Sequence, residues 1–149
     1  MARSILFLSL SILAGCAAAP EPAPTGIREL PHLDTTPPEL RAEIDRLTAV
    51  LVDFNAGADG LDAQERLVEI GRPAVPKVLS AFLHTGPWEE MEAMINACVV
   101  DGTLRRMVPE EAKIPRLIPF ARPTAKTVRG VVTLWFEWWD GNRSIKSDG

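Results

Sequence analysis

The chain has 149 residues, 46% of them apolar and 24% charged, with a net charge of −4. That size and balance suit one globular domain plus a removable leader, and they exclude a wholly disordered chain. Acidic and basic residues are mixed along the sequence with no basic stripe, which removes the electrostatic case for nucleic acid.

The N-terminus reads as an export signal. Arg3 supplies a positive start and residues 4–13, Ser-Ile-Leu-Phe-Leu-Ser-Leu-Ser-Ile-Leu, an apolar run. At about 1.5 Å per residue this run covers about half of a ~30 Å hydrocarbon core, too short to span and right for a secretory signal. Leu13-Ala14-Gly15-Cys16 then resembles the bacterial lipobox. The resemblance implies cleavage before Cys16 and lipidation of its thiol. Residues 1–15 would be the signal peptide and Cys16 the membrane anchor. Several acyl chains, at about 0.8 kcal/mol per buried CH₂, hold stably. Ala17 follows where an Asp would imply retention at the inner membrane, so the expected place is the cell envelope, with the outer membrane favoured if there is one. An ordinary secretory signal with an incidental Cys, or an uncleaved anchor, is the alternative. An acylated Cys16 leaves Cys98 without a partner. Among Ile95, Val99 and Val100 it reads as a buried core thiol, with a Cys16–Cys98 disulfide or a reactive thiol as alternatives.

Residues 16–35 follow as a tether whose early part, Ala-Ala-Ala-Pro-Glu-Pro-Ala-Pro, is extended and disordered in expectation. The spacing of Leu40, Ile44, Leu47, Leu51 and Phe54 predicts an amphipathic helix over 37–54, with Thr36 and Glu39 as a capping box and Pro37 in the first turn. A loop over 55–60 holds Asn55, Asp59 and Gly60. As a twelve-residue calcium loop it fails in register: started at Asn55, it puts Arg66 where the bidentate Glu belongs.

Residues 62–83 predict two short helices joined at Gly71-Arg72-Pro73. Ala63, Leu67 and Ile70 form one apolar stripe, and Ala74, Val75, Val78, Leu79 and Phe82 the next. Gly71 suits the position after a helix and Pro73 the start of one. The run Leu67-Val-Glu-Ile-Gly-Arg-Pro-Ala-Val-Pro-Lys-Val-Leu79 resembles the core of a HEAT-like repeat. The resemblance implies an all-α domain of four to five helices over 36–141, a short α-solenoid fragment of helical pairs, and a role in protein–protein interaction. Such pairs need neighbours to close their core. The 37–54 helix and the C-terminal helix are expected to serve as those caps. HEAT-like repeats also occur in phycobilin lyases, but this chain shows only the repeat.

A partial second unit follows a break at Thr85-Gly86-Pro87. Trp88, Met91, Met94, Ile95, Cys98 and Val99 recur at helical spacing and predict a buried stripe, interrupted at Asp101-Gly102. Glu89, Glu90 and Glu92 suit the first turn of that helix. Residues 108–123 carry Pro109, Pro115, Pro119 and Pro123 and predict an irregular connector, with a helical turn at 110–114. Arg105, Arg106, Arg116 and Arg122, with Lys113, Lys126 and Arg129, make the region locally basic, a surface for an acidic partner or lipid head groups, or a solvated face.

The last helix is predicted over 124–140, with Val128, Val131, Val132, Trp135, Phe136 and Trp139 on its apolar stripe. Gly130 would admit a close neighbour and Gly141 would end the helix, leaving 142–149 as a polar tail. The ending Trp135-Phe-Glu-Trp138-Trp139-Asp-Gly-Asn142-Arg143 is similar to the Trp-rich terminal helix of small bacterial envelope HEAT-like proteins. Trp138 falls at the edge of the stripe, where it could grip a protein partner, a glycan or lipid.

His32 and His84 stand apart. No paired Cys, no Gly-x-Ser-x-Gly and no phosphate loop occurs, so the sequence predicts no catalysis and no cofactor or metal. The expectation is an envelope-anchored lipoprotein acting as an interaction or scaffold module, with a ligand-binding lipoprotein using the Trp cluster as the alternative.

Overall fold

Two prolines open the first helix, α1 (Pro38–Leu51), where a missing N–H costs nothing because the first turn leaves its donors unsatisfied. The computed structural model describes residues 26–108 and 113–143, and these form an all-α domain of five helices with no strand among the described residues. The expected signal peptide, the expected lipidation at Cys16 and the expected tether through residue 25 lie outside the described residues, as do 109–112 and 144–149.

The expected Thr36 cap is not made. Pro37 takes the cap position, and Thr36 Oγ1 is buried without a hydrogen-bond partner. The chain entering α1 is held instead by Arg41, whose Nε donates to the Thr36 carbonyl at 2.7 Å and whose Nη2 donates to the Asp34 carbonyl at 3.2 Å. α1 also ends three residues earlier than its apolar spacing predicts. Asp53 Oδ1 accepts the Asn55 N–H at 2.9 Å, a local turn that competes with the helix. Phe54 is thereby thrown out of the buried stripe of Ile44, Leu47, Thr48 and Leu51.

α2 (Ala58–Ile70) and α3 (Val75–Ser80) form the predicted hairpin. Gly71 joins them at φ 68°, a left-handed conformation that favours glycine, and short 3₁₀ turns at Arg72–Ala74 and Ala81–His84 flank α3. Ala74, Val75, Val78, Leu79 and Phe82 are all fully buried. α2 packs on α1 and α4 (Met91–Met107), and α3 on the same two helices. The hairpin is thus covered by α1 and α4, and Arg72 at its joint donates to the Asn142 carbonyl at the end of the C-terminal helix at 2.9 Å.

α4 runs unbroken through Asp101-Gly102, where an interruption is predicted. The C-terminal helix, α5 (Ala125–Asn142), is capped by Thr124, whose hydroxyl accepts the Thr127 N–H at 3.2 Å. It passes through Gly141, so that glycine does not end it. Nothing approaches within 4 Å of where a Cβ on Gly130 would lie, so no close helix crossing uses that position.

The tether prediction runs too far. From Gly26 onward the chain is a strap packed on the core: Leu30 is buried, with Ile27 and Leu33 partly so. The Leu30 N–H donates to Ser80 Oγ at 2.8 Å, and that hydroxyl donates to the Pro76 carbonyl at 2.9 Å. Arg28 forks onto Asp140 of α5 at 3.1 and 2.5 Å, and Lys77 pairs with Glu29. The cause is visible in composition. The Pro/Ala run stops before three apolar residues at spacings of three, Ile27, Leu30 and Leu33, that can bury side chains.

Candidate functional site

α4 carries two apolar faces, and the fold buries the one made of smaller residues. Ala93, Ala97, Val100 and Leu104 point inward toward α3 and its neighbours. Of the stripe read from the sequence, Trp88 and Cys98 are buried and Met94 is half-buried, while Met91, Ile95 and Val99, with Gly102 in line, lie on the opposite side. Met91 is exposed and Ile95 and Val99 are half-buried. Two small residues in the inner stripe let a neighbouring helix approach closely, so the longer side chains are left outside.

That outer face is the floor of a groove. A cavity of about 430 Å³ is lined by Ile95, Cys98, Val99 and Gly102 of α4 and by residues 116–120 of the connector. A second, of about 220 Å³, shares Ile95 and Val99 and is walled by Phe54, Gly57, Gly60 and Leu61 at the α1–α2 corner. The two walls carry the large exposed apolar side chains: Phe120 is 96% exposed, Leu61 65%, Ile118 49% and Phe54 46%. Four of the seven large hydrophobic side chains exposed among the described residues belong to these walls.

A buried carboxylate holds the connector wall in place. Asp101 is fully buried on α4 and accepts four hydrogen bonds. Trp135 Nε1 donates to it at 2.8 Å, the Leu117 N–H at 3.1 Å, and Arg105 Nε and Nη2 at 2.9 Å each. The same guanidinium donates to the Ile114 and Pro115 carbonyls at 3.0 and 2.8 Å and lies 5.6 Å from the Trp135 ring centroid. One Asp–Arg pair, i to i+4, therefore ties α4, α5 and residues 114–117 together. Cys98, one turn away, is a free buried thiol pushed up to about 11 by burial and by the neighbouring Asp101 charge. It is a protonated, unreactive lining group at neutral pH.

The candidate partner residues are not brought to one place. Arg105 is spent inside the Asp101 network. Arg106 forks onto Glu65 of α2 at 2.7 and 2.6 Å, and each partner shifts the other's pKa toward the charged form. Arg116 and Arg122 are exposed on the connector wall, Arg122 in a left-handed conformation at φ 45°. Trp138 is half-buried on α5, its ring edge-on to Trp135 at 5.8 Å, while Trp135 and Trp139 are buried. A stacking platform for a glycan is thus reduced to one partly covered indole. Cys16 lies outside the described residues.

Sequence reasoning missed Asp101, Phe120 and Leu61. The Asp101–Arg105 spacing was the available signal for the first. Phe120 between Pro119 and Arg122 carries no periodicity at all. Among the described residues, no group of three or more His, Cys, Asp or Glu is placed to share a metal ion, and no helix is long and apolar enough to cross a membrane.

Among the described residues, fold and site together define a five-helix module with an open apolar groove whose connector wall is held by the Asp101–Arg105 pair. No family model, curated protein or solved structure matches the chain.

Proposed function

We propose that this chain is a lipid-anchored protein of the bacterial cell envelope whose helical domain is a non-catalytic docking or scaffold module. The groove over α4 is its docking surface. One observation carries the reading: among the described residues, Phe54, Leu61, Ile118 and Phe120 are exposed around two cavities that meet at Ile95 and Val99, instead of being scattered. Scattered exposed apolar residues need no explanation, but a gathered set with polar rims marks an interaction site. The lipobox-like Leu13-Ala14-Gly15-Cys16 supports the anchor, Ala17 supports the outer membrane, and the HEAT-like hairpin supports an interaction role.

The test has two arms. A photo-crosslinking residue placed at Phe120 in cells should give a discrete adduct, and the same residue at exposed Arg46, away from the groove, should not. Adducts at both sites or neither would remove the docking role. Labelled fatty acid should enter the wild-type chain and not Cys16→Ser, which should also leave the membrane fraction. Label in the Cys16→Ser variant would remove the anchor.

A further inference from the structure

The groove's two walls differ in charge. The connector wall carries Arg116 on the cavity lining, with exposed Lys113 and Arg122 beside it, and residues 113–124 contain no acidic residue. The α1–α2 wall carries Asp53 on the lining and exposed Asp59 between the lining glycines Gly57 and Gly60. No ion pair within the chain engages Arg116, Arg122, Asp53 or Asp59 among the described residues. An anionic membrane surface would meet the acidic wall as well as the basic one. A uniformly acidic or basic peptide would likewise be repelled by one side. A ligand that matches both walls must itself present an apolar centre with opposite charges on its two flanks.

The chain itself has that pattern. We infer that the occupant of the groove is a second copy of this chain, docked face to face about a twofold axis that runs along α4. This deepens the docking role proposed above and rests on it. Rotation about that axis sets the connector wall of each copy across from the α1–α2 wall of the other. Arg116 of one copy then faces Asp53 of its mate, and Phe120 meets Phe54 and Leu61. The interface is isologous, so each contact occurs twice. An axis crossing the groove at right angles would instead set basic wall on basic wall and acidic on acidic, a pairing that like charges penalise. The strap that leads toward the N-terminus does not obstruct the dimer. It packs on α3 and α5, and no residue of 26–36 lines either half of the groove.

Native mass spectrometry of the full chain released from detergent should give twice the monomer mass. Arg116→Asp and Asp53→Arg should each weaken the dimer by about tenfold or more, and the two combined in one chain should restore it, because the swapped pair forms again across the interface. Restoration also shows that the single variants are folded. The wall-to-wall geometry is read from two tagged copies, one carrying Phe120→Cys and the other Leu61→Cys, both in a Cys98→Ser background. Oxidation in the membrane should join the two tags, with no disulfide between two Phe120→Cys copies. A monomer at every concentration, a dimer indifferent to both single charge swaps, or joining only of Phe120→Cys copies to each other would overturn the inference. A monomer that still gives the Phe120 photo-adduct would overturn the second copy as occupant and leave the docking role standing.

Discussion

Asp101 is the residue on which the connector depends. Burying a carboxylate is tolerated here because a guanidinium, an indole N–H and a backbone N–H all point at it. Asp101→Ala leaves those donors unpaired and should cost about 3–5 kcal/mol in urea unfolding, a large part of a small domain's stability. Asp101→Asn keeps an acceptor for some of them and should fall between that variant and wild type. Cys98 offers a pH readout beside it. Its folded pKa is raised, so its contribution to stability is complete below about 9, the ordinary thiol value, and is lost as the pH climbs through about 11. Unfolding curves across that window should show a fall in stability that Cys98→Ala lacks. A thiol-directed reagent should label native Cys98 slowly at neutral pH.

At the scale of the element, α4 and α5 show what helical periodicity can and cannot say. α5 was legible almost in full. Val128, Val131, Val132, Trp135, Phe136 and Trp139 are all buried, because one side of that helix is apolar and the other polar. Its Gly130 is exposed, helical and without a neighbour within 4 Å of an added Cβ. Gly130→Ala should therefore stabilise the domain by about 1 kcal/mol, seen as a rise in Tm, since the penalty of glycine is removed and no contact is lost. α4 was legible as a helix but not as to its inner face. It has apolar residues on two sides, Ala93, Ala97, Val100 and Leu104 on one and Met91, Ile95 and Val99 on the other. A periodicity of 3.6 marks both stripes equally, and the larger one looked the better core. The short range of Asp53 and Asn55 likewise overrode the regular spacing that carried Phe54.

For the whole molecule, the strap at 26–36 sets where the domain begins. Leu30→Ala removes a buried side chain whose neighbours hold it in place, and should destabilise by about 2–4 kcal/mol in the same urea assay. A substitution in a free tether would change nothing, so the measurement separates a docked strap from a linker.

The amino-acid sequence alone determined that the domain is all-α with four to five helices, where most of them start, and that the hairpin around Gly71 is core. Those properties are local: proline at a first turn, glycine at a left-handed joint and apolar residues repeating along one face. Only the tertiary structure decided that the strap belongs to the domain, that Arg105 and Arg106 are engaged while Arg116 and Arg122 form no ion pair among the described residues, and that the larger stripe of α4 faces a groove. Each of these depends on a partner distant in sequence: Ser80 for Leu30, Glu65 for Arg106, Trp135 and Leu117 for Asp101. A helix bears apolar residues according to its sequence, but which of them meet water is set by how closely its neighbours pack. Two alanines decided that for α4.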